Sequence, residues 1–236
     1  MNKFLGWIAA VAFSGSVMQS AAQTKVIFTT NFGEIPIVLF DAEAPNTVDN
    51  FLSYVERGDY RNTIFHRAMT GFVLQSGGYR VTPQGSFLLE EVTEFDSVQN
   101  EYGRANTRGT IAMAKRGGNP HSATSQWFIN VADNSETLDE RNNGGFTVFG
   151  EVESFTVIDE IMAQNIINAG GAFTDLPVKA TRDDGSDGAT NGGEVVADDF
   201  IKITSVLVER ADAVPEPSSS CLLMMGSGAL LLRRRR

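Results

Sequence analysis

One cysteine, Cys221, and two histidines, His66 and His121, are all that the 236 residues contain of those two types. A single thiol leaves no internal disulfide to form or to lose. Two histidines in separate segments suit neither a paired metal site nor a Ser-His-Asp arrangement, and no cofactor is called for. The chain also lacks internal repeats, a phosphate-cradling glycine loop and any apolar run long enough to span a bilayer. Positive charge is scarce. Setting aside Lys3 and Arg233 to Arg236, the 19 Lys and Arg fall to 14 against 29 Asp and Glu, a balance of −15 for the region between. Such a surface repels phosphate backbones, which argues against nucleic acid as a partner and favours solubility.

The two ends differ from the middle. Lys3 precedes an apolar run from Phe4 to Val17 and then Ser20-Ala21-Ala22. This is the pattern of a secretory signal peptide over residues 1–22, cleaved after Ala22. At the other end come Val214-Pro215-Glu216-Pro217, three serines, an apolar run from Cys221 to Leu232, and four arginines. Twelve helical residues span about 18 Å, short of the roughly 30 Å hydrocarbon core, so a permanent anchor is disfavoured. The segment 211–236 resembles the PEP-CTERM sorting tail. That resemblance implies an exported protein held briefly at the inner membrane, arginines on the cytoplasmic side, until an exosortase-type protease processes it. The destination would be the periplasm, the cell surface or the medium. A simple membrane anchor is the alternative.

Residues 23–210 read as one domain. Lys25 to Thr30 and Glu34 to Phe40 flank Asn31-Phe32-Gly33 as a hairpin, with Pro36 placing the second run at an edge or bulge. Val48, Phe51, Leu52 and Val55 give a helical face over Pro45 to Arg57 that Gly58 ends. A second helix is expected from Ser154 to Gln164, with Ser154 as its cap. Short β runs are expected over 63–68, 72–75, 87–91, 110–114, 126–131, 147–152 and 201–208. Residues 168–199, rich in Gly, Asp, Thr and Asn, read as a long polar loop. This pattern predicts a mainly β fold: a closed antiparallel barrel capped by two α-helices.

The segment Phe65 to Gly78, FHRAMTGFVLQSGG, sets Arg67, Phe72 and Gln75 where alternation brings them to one concave apolar surface. It resembles the signature of the cyclophilins, the peptidyl-prolyl cis-trans isomerases. GTIAMAK (109–115), ATSQWFINVAD (123–133) and FTVFGEV (146–152) follow in the order that family shows. The resemblance implies an eight-stranded closed barrel with two capping helices, and proline-containing polypeptides as substrates. By that resemblance Arg67 is catalytic, and Gln75 holds substrate and Arg67 by hydrogen bonds. Phe72, Val73 and Phe128 form the proline pocket, with Met113 in its neighbourhood and Leu138 on its wall. Ala114 and Lys115 lie where substrate backbone runs, Gln126 lines the adjoining groove, and Phe146 sits over the pocket.

Several positions depart from the family pattern. Val73 replaces a frequent methionine, Lys115 a frequent asparagine and Trp127 a frequent phenylalanine, and Ser76 adds a residue before Gly77-Gly78. Thr137 stands where animal members often carry the tryptophan that cyclosporin uses, and Phe146 where a histidine or tyrosine is usual. The implied activity is X-Pro isomerisation in the folding of exported proteins. The alternative is a non-catalytic proline-peptide binding module or chaperone of an extracellular matrix system; a structural matrix protein would need repeats or low complexity that are missing.

Overall fold

The computed structural model describes residues 23–82 and 89–210. The expected leader, residues 1–22, and tail, residues 211–236, lie outside the described residues.

Strands β1 (Thr24–Thr30) and β2 (Gly33–Leu39) form the hairpin. Gly33 holds φ +129°, a conformation that L side chains rarely adopt, so the turn there favours glycine. Strict alternation sends Val26, Phe28, Ile35, Ile37 and Leu39 inward. Pro36 is not on an edge strand. Its carbonyl accepts from the Glu153 N–H at 2.9 Å, just past the last residue that pairs with the neighbouring strand, so the missing proline donor falls where the ladder has ended.

Helix α1 (Pro45–Arg57) buries Val48, Phe51, Leu52 and Tyr54, and ends at Gly58 in the left-handed conformation. Pro45 suits the first turn, which offers free N–H groups. Its start has no side-chain cap from its own segment. Glu101 serves instead: one carboxylate oxygen accepts from Asn46 N (3.2 Å) and Nδ2 (2.7 Å), the other from Thr47 N (2.8 Å) and Oγ1 (2.7 Å). Burial alone raises the Glu101 pKa, but the bonds from Thr47 and Asn46 outweigh it, so the net shift is downward. A carboxyl lowered in the fold adds stability above its unfolded pKa and loses it as pH falls through the folded one. Glu101→Ala is expected to cost about 1–2 kcal/mol at neutral pH, the scale of a lost helix cap. Urea unfolding of both proteins checks this, with the difference shrinking in acid.

Next come β3 (Arg67–Ala68), β4 (Val73–Ser76), β5 (Tyr79–Val81), β6 (Leu89–Glu91), β7 (Thr110–Met113), β8 (Trp127–Asn130), β9 (Val148–Val152), α2 (Thr156–Met162), β10 (Asn165–Ile167), β11 (Leu176–Val178) and β12 (Ile203–Arg210). Of the strand expected over 87–91, residues 87 and 88 lie outside the described residues. Helix α2 is shorter than expected: the Ser154 hydroxyl accepts from Thr156 N at 3.3 Å, but the residue flanking the first turn is Phe155.

Eight strands form one antiparallel sheet in the order β12-β1-β2-β9-β7-β8-β4-β3. The sheet curls, but the closed barrel expected from sequence needs correction. The run 63–68 divides its backbone donors among three neighbours: Ile64 N to Tyr79 O, Phe65 N to Ile201 O, and His66 N to Gln75 O. Only two residues remain for β3, too few to pair with β12 as a ladder. The seam is spanned instead by the Ile64–Lys202 bridge and by bonds from Asn62 N to Ile203 O and from Ile203 N to Thr63 O.

Inside the curl lies an aromatic core, with Phe28 stacked on Trp127 at 5.0 Å between ring centres and Phe51 against Phe149 at 5.0 Å. Phe51 of α1 and Ile158 and Ile161 of α2 belong to this same core. The segment 168–199 is not a plain polar loop. It contributes β11, which pairs with β10, and its Leu176, Val178 and Ala189 bury with Ile64, Ile167 and Phe200. Lys179 bridges Asp183 and Asp198, and Arg182 grips the fully buried Asp199 at 2.8 Å.

Candidate active site on the outer face of the sheet

Pairing register builds a row of side chains across five strands. Arg67 on β3 lies opposite Gln75 on β4, Gln75 opposite Phe128 on β8, Phe128 opposite Ala112 on β7, and Ala112 opposite Val148 on β9. Directly opposed residues share a face. Their sequence neighbours Leu74, Ile111, Ile129 and Phe149 all lie in the inner core, so this row faces outward. Residues in the row and beside it form a separate apolar cluster: Phe40, Val73, Ala112, Phe128, Leu138 and Val148 are buried, with Phe72, Ala114 and Phe146 half-covered above them. Phe146 meets Phe128 edge-on, ring centres 5.9 Å apart. A cation thus stands at one end of an outward row that leads into an apolar cluster containing Phe40, Phe72, Phe128 and Phe146.

Met113 does not join it. It sits opposite Trp127, is 1% exposed and packs in the inner core, because strand alternation turns it away from Ala112 and Ala114. Gln75 lies beside Arg67 in register, but its side-chain amide donates to Gln126 Oε1 at 2.9 Å. The charged partner of Arg67 is Asp175, with Nε 3.8 Å from Oδ2. No local pattern marks Asp175, which is far away in the chain and arrives through the 168–199 segment.

Lys115 braces the roof. Its ammonium donates to the carbonyls of Asn143 (2.7 Å) and Gly145, and lies 4.5 Å from the centre of the Phe146 ring. Desolvation lowers its pKa. Thr137, in the place of the family tryptophan, is exposed beside Leu138.

Three buried asparagines tie the walls together. Asn134 Nδ2 donates to the Phe72 carbonyl (2.8 Å) and to Asn130 Oδ1 (2.7 Å); Asn130 Nδ2 donates to Asn106 Oδ1 (3.1 Å) and Thr110 Oγ1 (2.9 Å). Asn106 Nδ2 donates to the Phe146 carbonyl at 3.0 Å. The network therefore links the backbones that carry two phenylalanine walls. Its only trace in the sequence is polar residues within an otherwise apolar strand and the turn after it.

His66 is buried, and its Nδ1 has no hydrogen-bond partner among the described residues. Burial first, and the positive charge of Arg67 second, hold its pKa down at about 4. The imidazole is neutral at physiological pH and packs edge-on to Tyr79 at 5.1 Å, in keeping with a structural place. Beyond Gln126 runs a polar groove of about 450 Å³, lined by Tyr79, Glu91, Glu94, Arg116 and Gln126 among others, with Arg116 and Glu94 paired at 2.7 Å.

Residues 25–182 match the family model described as cyclophilin type peptidyl-prolyl cis-trans isomerase/CLD, and residues 213–236 match the PEP-CTERM protein-sorting motif. The chain is 44% identical over 143 residues to a peptidyl-prolyl cis-trans isomerase of Acinetobacter baylyi, covering 59% of this chain and 72% of that one. It is 43% identical over 142 residues to peptidyl-prolyl cis-trans isomerase B of Escherichia coli, covering 58% and 82%. A crystal structure of a cyclophilin type isomerase from Cryptosporidium parvum, in the presence of the dipeptide Ala-Pro, superposes with a TM-score of 0.54 at 20% identity, over 78% of this chain and 98% of that one. That last likeness speaks to the fold alone. With the family model matching residues 25–182 and these relatives matched at 43–44% identity over 72–82% of their own length, the protein belongs to the cyclophilin-type peptidyl-prolyl cis-trans isomerases.

Proposed function

We propose that the outward apolar cluster binds the proline of an extended polypeptide and that Arg67 speeds rotation about the preceding amide. The observation that carries this reading is the cross-strand row that sets a guanidinium on the same face as a phenylalanine-rich apolar cluster. Cis and trans X-Pro differ by only about 0.5–1 kcal/mol, yet exchange takes tens to hundreds of seconds because C–N resonance must be lost. No bond is made or broken. As the amide twists, its nitrogen becomes pyramidal and regains a lone pair, which a fixed donor stabilises more than it does the planar amide. A guanidinium suits the task because it stays charged and planar.

Phe72, Val73, Phe128, Leu138 and Phe146 then grip the prolyl ring, and Gln75 with Gln126 orients the flanking backbone. Ala114 and Lys115 border the run of substrate, with Lys115 acting on it through the Phe146 roof. Met113 supports the pocket only from the inner core behind it. The polar groove past Gln126 accommodates residues flanking the proline. A protease-coupled assay with an X-Pro peptide tests the reading; peptide binding without acceleration would favour a binding module instead.

Exported proteins are the inferred clients. A leader-like segment over 1–22 and the sorting motif at 213–236 support passage through the inner membrane, a transient hold there, and release by an exosortase-type protease. Pro215-Glu216-Pro217 supplies a cleavable extended stretch. Intact-mass measurement of protein recovered from its native host should give a chain ending near that stretch. A secreted chain still ending at Arg236 would sink the sorting role.

A further inference from the structure

We propose that Asp175 is a positioning residue of the isomerase site, holding the guanidinium of Arg67 by its Nε edge so that the terminal nitrogens stay free for the amide. This rests on the reading of Arg67 as the donor.

Arg67 needs an orienting partner. A guanidinium on a flexible stem fixes nothing by itself, and side-chain freedom retained in the ground state has to be given up in the transition state. Gln75, the nearest polar side chain in register, donates to Gln126 and, among the described residues, its amide oxygen accepts no hydrogen bond from Arg67. Asp175 is the carboxylate within ion-pair distance, at 3.8 Å from Nε.

Its own placement is firm on both sides. The Asp175 carbonyl accepts from Ala68 N at 2.8 Å, which joins it to the residue after Arg67. The Thr174 hydroxyl donates to Asp175 Oδ2 at 3.0 Å. Before it, Phe173 packs edge-on to Tyr79 at 4.8 Å; after it, Leu176 is 2% exposed in the third apolar cluster. The carboxylate is therefore carried to the site by a folded segment rather than by a loose one. Side chains of both residues are 36% exposed, so the pair is a modest one, and its use is orientation more than binding energy.

The test uses the whole chain. Asp175→Asn keeps the size of the side chain and leaves the backbone bond to Ala68 in place, but removes the charge. It is expected to lower kcat about three- to fivefold with KM little changed, the scale of an exposed but fixed ion pair. Asp175→Glu, whose carboxylate still reaches, should hold kcat within about twofold of the parent. In an Arg67→Ala background, Asp175→Asn should add no further loss, because the residue acts only through Arg67. The Arg67 Nε–H signal in a ¹⁵N correlation spectrum, identified by its loss in Arg67→Lys, should be sharp in the parent and broadened in Asp175→Asn; this reading decides the case if the Arg67→Ala rate is too low to compare. Parental kcat in Asp175→Asn, an equal loss in both backgrounds, or an unchanged Nε–H signal would each overturn the inference. Full activity of Arg67→Ala would remove the donor reading itself, and the role of Asp175 with it.

Discussion

Arg67→Ala is expected to isomerise X-Pro peptides more than tenfold more slowly than the parent chain while keeping its circular dichroism and unfolding midpoint. The size follows from what is removed. A hydrogen bond from a charged donor contributes about 1.5–3 kcal/mol, and each 1.4 kcal/mol of transition-state stabilisation is a factor of ten in rate. Retention of the fold follows from position: Arg67 stands on the outer face, half-exposed, while the inner core is carried by Phe28, Phe65, Trp127 and their neighbours. The loss should appear in kcat more than in KM, since the apolar cluster proposed to grip proline is untouched. An Arg67→Ala chain with full activity would remove Arg67 from the mechanism.

Asn130→Ala should be costly in a different currency. Asn130 is fully buried, accepts from Asn134, and donates to Asn106 and Thr110. Truncation leaves several buried polar groups unpaired at once, each unsatisfied group costing about 1–3 kcal/mol, for a total of about 2–4 kcal/mol after relaxation. For a domain of this size that lowers Tm by about 5–15 °C. KM should also rise, because Asn134 and Asn106 would no longer hold the backbones of Phe72 and Phe146 against each other. Calorimetry with a parallel peptide assay reads both effects. A Tm within about 2 °C of the parent would show that the network is dispensable.

How much of this was legible beforehand depended on whether the signal was local. Period-two and 3.6-residue patterns located the β1–β2 hairpin and α1 nearly to the residue, because each buries one face of a regular element. The motifs point to Arg67, Gln75 and Phe128, which register sets in one row, and to Phe72 and Leu138, which pack with Phe128 in the outward apolar cluster. Met113 failed because a motif gives adjacency in sequence, whereas the pleat sends adjacent residues to opposite faces. Pro36 misled as an edge marker, since its missing donor is harmless wherever a ladder happens to end. The 168–199 segment looked like loop because its composition is polar. Its order comes from a few apolar anchors, Leu176, Val178 and Ala189, and from the hold of Arg182 on the buried Asp199, which no local pattern reveals. Glu101, Asp175 and the asparagine network are likewise contacts between distant parts of the chain, visible only once the strands are in place.

Pairing of the first strand with the last has a bearing on how the molecule is made. Thr24 lies opposite Arg210, and β1 runs alongside β12 for its whole length. A chain delivered N-terminus first presents β1 with β2 as its only lasting neighbour, and its other edge stays open until nearly the entire domain has been delivered. Contacts so far apart in sequence form slowly, and an open strand edge meanwhile invites pairing with other chains. Assembly is thus gated by arrival of the C-terminal strand, so the final residues before the sorting motif act as the latch of the fold, and truncation even a few residues short of Arg210 would leave the first strand half-unpaired.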